Sequence, residues 1–305
     1  MISMQFCKFR GGSKLLSFVL CITLSTPGAV KEAALAGYTS EAVDLIEFLY
    51  GDGMLELGGT EAVDELFAGI DLAGKTVLDI GSGIGGVDTY LAERYAVTII
   101  GVEPEAMLVA RATERASRLQ GNFRGSVRFE QLVELTSLAP YPDESFDIVM
   151  SRGALLHVPH ADKAAYFAEM LRVLKPGGWL VIDDWMHPSP EYTDAVKEMM
   201  EADGIPYHLI TPAEYKAMLT DAGFVDVSLR DTTLQAYEAS ADVCQRAAAC
   251  ATEMSANFGD EMYCYAVKSW ALQRGIFERR ELLTGMVRAR KVAPAQDYLS
   301  LKYFR

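Results

Sequence analysis

The run Val77-Leu78-Asp79-Ile80-Gly81-Ser82-Gly83-Ile84-Gly85-Gly86 places a carboxylate two residues ahead of a glycine-rich turn. Gly81, Gly83 and Gly86 have the spacing of a dinucleotide-binding turn, a pattern that several nucleoside ligands share. Asp79 narrows the choice. A carboxylate at the tip of the preceding strand suits a ligand with a positive amino-acid group and sits poorly beside a pyrophosphate. S-adenosylmethionine has that ammonium, a sulfonium and no phosphate, so Asp79, Gly81 and Gly83 are expected to bind it. Glu103, at the end of the next strand, is placed where an acid accepts both ribose hydroxyls. It supports an adenosine ligand without choosing between cofactors. A hydride-transferring dehydrogenase is disfavoured by Asp79, and NAD against S-adenosylmethionine in thermal stabilisation separates the two readings.

Methyl transfer needs an uncharged nucleophile held about 3 Å from the methyl carbon and in line with the departing sulfur. An alkylammonium must first lose a proton. His157 lies just after the strand beginning at Phe146, at the carboxyl edge of the sheet where such ligands bind. An imidazole of near-neutral pKa is suited to take that proton. His160, His187 and His208 have no acidic or cysteine companions at metal spacing, so no metal site is expected.

The 305 residues carry 28 Lys and Arg against 42 Asp and Glu, a net charge of -14. Such a chain repels nucleic-acid phosphates and anionic lipid, so neither nucleic acid nor a stable membrane association is expected, and a small-molecule acceptor is. Half of the residues are apolar, enough for a large core. Cys7, Cys21, Cys244, Cys250 and Cys264 form an odd set without a C-x-x-C pair, which fits reduced thiols in a cytoplasmic protein. Lys8, Arg10 and Lys14 precede the apolar run Leu15 to Leu24. Residues 1-30 are therefore read as an N-terminal extension, signal-like or an over-called start, and expected to be disordered. Export is the minor reading.

Runs at Thr76 to Ile80, Val97 to Val102, Val127 to Glu130, Phe146 to Ser151, Trp179 to Asp183, Phe224 to Asp231 and Met286 to Lys291 read as strands. Helical spacing recurs at Val87 to Arg94, Ala106 to Leu119, Lys163 to Leu174 and Thr211 to Ala222. This alternation predicts an α/β fold with a doubly wound, Rossmann-like seven-stranded sheet. Lys175-Pro176-Gly177-Gly178 is expected as a turn between a helix and the Trp179 strand. Residues 31-305 are read as a single domain, with 232-274 a helical insertion.

Asp79 to Gly86, Glu103, Phe146-Asp147 and Leu174 to Gly178 resemble the class I S-adenosylmethionine-dependent methyltransferases. Tyr38-Thr39, Tyr50-Gly51, Gly58-Gly59, Ser151-Arg152, Leu156-His157 and Leu209-Ile210-Thr211 resemble, more narrowly, the phosphoethanolamine N-methyltransferases and the methyltransferase part of ovothiol synthases. The resemblance implies strand order 3-2-1-4-5-7-6 and a helical lid over residues 38-59, with the Gly58-Gly59 turn near the methionine end of the cofactor. It implies Tyr38 and His157 as the catalytic pair, Ser151 on the cofactor side, and an aromatic wall at Trp185 and Tyr207, with Tyr192 a further candidate. Trp185 would offer its face to an ammonium or sulfonium. Arg152, beside His157, could bind a carboxylate on the acceptor. Glu134 is expected to meet the adenine amino group.

Three departures bear on the acceptor. Those enzymes carry Asp where this chain has Gly153, a phosphate-gripping Arg where it has Ile205, and a Lys where it has Gln273. A desolvated phosphate needs cationic partners, so phosphoethanolamine is a poor fit. The expectation is methyl transfer to a small polar amine. The alternatives are S-methylation of a thioether or thiol resembling an amino acid, and a protein that binds the cofactor without turning it over. An amine acceptor predicts a rate that rises with pH; a thioether predicts a flat one. Arg279, Arg280, Arg288, Arg290 and Lys291 are expected to be solvated structure, diluted by Glu278 and Glu281.

Overall fold

The computed structural model describes residues 38-132, 137-189 and 191-293. The extension 1-30 and Glu134 lie outside these residues. Seven strands, β1 (Thr76–Ile80), β2 (Thr98–Glu103), β3 (Ser126–Gln131), β4 (Phe146–Arg152), β5 (Leu174–Met186), β6 (Val225–Asp231) and β7 (Leu283–Arg290), form one sheet. Its order is β3-β2-β1-β4-β5-β7-β6, as expected, with β7 antiparallel to both β5 and β6. The β1 strand is buried from Val77 to Ile80, as parallel strands covered on both faces must be.

Helices α3 (Gly86–Arg94), α4 (Ala106–Leu119), α5 (His160–Val173), α6 (Asp194–Asp203) and α7 (Pro212–Ala222) connect the strands. Helix α7 starts with a capping box in which Thr211 and Glu214 satisfy each other's backbone N–H, and Pro212 occupies the first turn. One apolar cluster packs Leu78, Val149, Ile182, Phe167 and Tyr215 on one side of the sheet. Another packs Val77, Ile99, Met150 and Val181 on the other, which is the alternation that strand geometry imposes.

The turn expected at Lys175 to Gly178 is a bulge inside β5. Phe146 pairs with Leu174 and Ile148 pairs with Trp179, so three extra residues of β5 loop out between adjacent registers. Strand β7 begins at Leu283, earlier than expected, because Trp185 and Met186 extend β5 and pair with Thr284 and Leu283. The basic residues there are spent locally. Arg288 donates to Glu65 O and Ala68 O, Arg290 to Gly177 O, and Lys291 to Leu174 O.

Two helical pieces sit over the carboxyl edge of the sheet. Lid helix α1 (Ser40–Tyr50) is capped by Thr39 and leads through a turn to α2 (Gly59–Leu66). Helices α8 (Thr233–Ala249), α9 (Ala251–Phe258) and α10 (Asp260–Glu278) fill the stretch between β6 and β7. A third apolar cluster joins Leu45 and Leu49 of the lid to Trp185, Val243, Met254 and Phe277. Trp270 Nε1 donates to Tyr50 Oη at 2.8 Å, and Arg246 to Leu49 O at 2.6 Å.

Candidate active site

A cavity of about 370 Å³ opens at the carboxyl edge of β1, β2 and β4, beneath the lid. Asp79, Gly81 and Gly83 line it from the β1 turn, Glu103 from β2, Arg152 and His157 from β4 and after it, and Tyr38 from the lid. Residues 119 positions apart in sequence thus meet in one pocket. The lid reaches the glycine turn closely enough that a Cβ on Gly86 would collide with Gly53 O, so this approach requires glycine. Arg115 Nη1 holds Asp52 Oδ2 at 2.9 Å and also bonds Glu47, pinning the lid to α4.

Glu103 is fixed by two backbone donors, Gly83 N at 3.1 Å to Oε2 and Glu105 N at 3.2 Å to Oε1. It keeps further lone pairs for hydroxyl donors. Burial raises its pKa, against the pull of those two N–H groups. Asp79 is 4% exposed and lies against Asp88, which is fully buried. Burial, then the Asp88 carboxyl, raises Asp79 well above the carboxylate range, while burial pushes Asp88 up to about 7. Buried carboxyls this close titrate as a pair. A carboxylate pair that gains from a cation and an acid with open lone pairs are acceptors of the kind that an ammonium and ribose hydroxyls would use.

His157 Nδ1 is 3.1 Å from Pro206 O, and Nε2 is 3.4 Å from Tyr38 Oη. A carbonyl only accepts, so Nδ1 carries the hydrogen and Nε2 is left with its lone pair toward the phenol. Burial lowers the imidazole pKa, which keeps the ring neutral at pH 7. Burial raises the Tyr38 phenol, followed by the charges of Glu103 and Glu56, so it remains protonated. The backbone turn that delivers His157 is tied by Lys163, a buried ammonium that donates to Leu155 O.

Several expected residues are placed differently. Ser151 is buried and its hydroxyl donates to Ile80 O at 2.9 Å, so it ties β4 to β1 and does not line the cavity. Arg152 lines the cavity, yet its guanidinium is engaged with Asp183 Oδ2 at 3.2 Å and with Leu57 O, which makes it a clasp between sheet and lid. Trp185 is not a rim residue. It is 7% exposed, packs on Phe277 and Tyr207, and donates its indole N–H to Glu56 Oε1 at 3.2 Å. Tyr207 lies with its ring 5.4 Å from that of His157, and its hydroxyl donates to Asp203 at 2.7 Å. Tyr192 Oη accepts from Leu209 N at 3.3 Å, a packing role away from the cavity. The lid faces the cavity through Gly53 to Glu56, whereas Gly58-Gly59 packs toward Arg152 and Glu61.

Sequence patterns missed Glu56, Asp88 and Pro206. A lone acid between Leu55 and Leu57 was the available signal for Glu56, and an acid in the first turn of an otherwise buried helix for Asp88. The Pro206 carbonyl had none. Among the described residues, no group of three or more His, Cys, Asp or Glu is arranged to hold a metal, and no helix is long and apolar enough to cross a membrane.

A family described as a methyltransferase domain matches residues 78–182. The phosphoethanolamine N-methyltransferase of Plasmodium falciparum is 35% identical over 196 residues, covering 64% of this chain and 70% of that protein. Phosphoethanolamine N-methyltransferase 1 of Arabidopsis thaliana is 36% identical over 203 residues, covering 65% of this chain and 38% of that protein. The chain therefore spans about two fifths of the length of its plant relatives. Among solved structures, Haemonchus contortus phosphoethanolamine N-methyltransferase 2, bound to phosphomonomethylethanolamine and S-adenosylhomocysteine, superposes with a TM-score of 0.77 at 21% identity. That match covers 87% of this chain and 61% of the other. The sheet order, the site at its carboxyl edge and these relationships together show that the chain belongs to the S-adenosylmethionine-dependent methyltransferases of class I, similar in sequence to the phosphoethanolamine N-methyltransferases among them.

Proposed function

We propose that this chain transfers a methyl group from S-adenosylmethionine to a small polar acceptor whose nucleophile is an amine. The single observation that carries this reading is the Tyr38 to His157 pair at 3.4 Å, in the cavity that also holds Asp79 and Glu103. Asp79 would hold the cofactor's ammonium and Glu103 its ribose hydroxyls. The bound cofactor supplies an electrophilic methyl group. An acceptor ammonium entering beside Tyr38 passes a proton to the phenol oxygen as the phenol proton moves to His157 Nε2, leaving a neutral amine. Pro206 O then steadies the imidazolium through Nδ1–H. Such a positioned base is worth about two to four orders of magnitude in rate.

The lining of the cavity favours a cationic acceptor over a phosphorylated one. Glu56, Asp79, Glu103 and Glu105 line it, and Arg152 is the sole Lys or Arg among the described lining residues and is already engaged. Ile205 lines the cavity, and Gln273 is buried beside Tyr50, with no cation at either position. A phosphate dianion would be desolvated there without a partner. Release of S-adenosylhomocysteine, measured with separate pools of phospho-amines, free amines, amino acids and sulfur compounds, tests the reading. Turnover of free amines supports it. Turnover of phosphoethanolamine alone, or of thioethers with a flat pH profile, overturns it.

A further inference from the structure

The place that a side chain at position 153 would fill is not empty. A Cβ built on Gly153 collides with Glu56 Oε2 and lies 3.2 Å from Glu56 Cδ. The lid carboxylate therefore occupies the space into which a side chain at 153 would project, arriving from a different part of the chain. It is held there firmly. Oε1 accepts from Leu57 N at 2.9 Å and from Trp185 Nε1 at 3.2 Å, while Oε2, among the described residues, accepts no hydrogen bond. Glu56 lines the cavity, and its charge is felt by the phenols of Tyr38, Tyr50 and Tyr207. Of these only Tyr38 lines the cavity with it, and an open carboxylate oxygen there is a receptor for an alkylammonium through ion pairing.

Competing partners do not cancel it. Arg152 lines the same cavity and lowers the Glu56 pKa, but its guanidinium is shared with Asp183 and Leu57 O. We propose that Glu56 is the specificity-determining residue for the acceptor, its carboxylate filling the space beside Gly153 and selecting unphosphorylated alkylammonium compounds. This rests on the amine reading above and deepens it. Because Glu56 belongs to the lid, the acceptor's charge would also hold the lid against the sheet.

The test compares the full chain with Glu56→Gln and with the double variant Glu56→Ala/Gly153→Asp. Ethanolamine, its N-methyl and N,N-dimethyl derivatives, and phosphoethanolamine serve as probes. Glutamine keeps the size and can still accept from Leu57 N and Trp185 Nε1. Alanine at 56 clears the space that Asp at 153 needs, and Asp tolerates the left-handed φ of +62° at Gly153 better than most residues. The expected result is a rise of at least tenfold in KM for the free amines in Glu56→Gln, cofactor Kd within twofold, and recovery of most of that loss in the double variant. An unchanged KM in Glu56→Gln overturns the inference while leaving the amine reading intact. So does a double variant that melts like the parent yet recovers nothing. Failure of the parent chain to methylate any free amine, with the cofactor bound, overturns both.

Discussion

The hydroxyl of Tyr38 lies 3.4 Å from Nε2 of His157, whose other nitrogen faces Pro206 O at 3.1 Å. These two contacts fix a neutral imidazole with its lone pair directed at a protonated phenol. Tyr38→Phe should remove the relay while keeping the ring. We expect a fall in kcat of about tenfold to a hundredfold with little change in cofactor Kd, measured in steady-state assays with the best amine.

Burial and the Asp88 carboxyl favour the protonated form of Asp79, and an ammonium bound there favours the ionised form. Binding of S-adenosylmethionine at pH 6 should therefore release up to one proton. Calorimetry in two buffers of different ionisation enthalpy reads this directly. In Asp79→Asn the release should disappear and affinity should drop by about tenfold to a hundredfold, the loss of one charged hydrogen bond.

Glu56 has a folded-state pKa of about 7, raised chiefly by burial and partly offset by Arg152. An acid raised in the folded state binds its proton more tightly there than when unfolded, so its contribution to stability is lost as pH rises from about 4.5 to 7. Glu56→Gln should thus match the parent near pH 4.5 and exceed it at pH 8. The side chain faces the cavity and keeps some contact with water, so the gain is about 2 kcal/mol. Thermal melts across this range check the sign.

Arg152 is buried with Asp183, and its removal leaves that carboxylate without its ion-pair partner and Leu57 O without its clasp. Arg152→Met should destabilise the fold by about 3 kcal/mol, which lowers Tm by roughly 6 to 12 °C. If Arg152 served only to bind acceptor, Tm would stay put and KM alone would move.

The sheet and the gathering of the glycine turn, Asp79 and Glu103 at one cavity were legible in the chain because they depend on local pattern. Apolar runs announce β1 and β4, and strand ends carry Asp79, the glycine turn and Glu103 to the same edge. The Tyr38 to His157 contact came from a family resemblance, since no local rule joins residues so far apart. What could not be read were choices made by side chains of neighbouring elements. Ser151, Arg152 and Trp185 sit close to where they were expected, but their polar atoms turn to Ile80 O, Leu57 O and Glu56. Residue type fixes what a group can bond to, and tertiary packing decides which partner it meets. Glu56 shows the converse, a functional position created by a lid whose path only the folded chain reveals.

An amine acceptor taken up as its ammonium requires Glu56 ionised and His157 neutral. We expect kcat/KM to rise through pH 7 and to fall again near about 10, where a free alkylammonium deprotonates. In Glu56→Gln the rising limb should move to lower pH, since burial lowers the His157 pKa.

The most direct test is the single-turnover rate of methyl transfer to the preferred amine in the parent chain and in His157→Ala, with cofactor affinity measured alongside. A loss of about two orders of magnitude or more at unchanged cofactor Kd is the result the Tyr38 to His157 account predicts. An unaltered rate would contradict it and remove His157 from the chemistry.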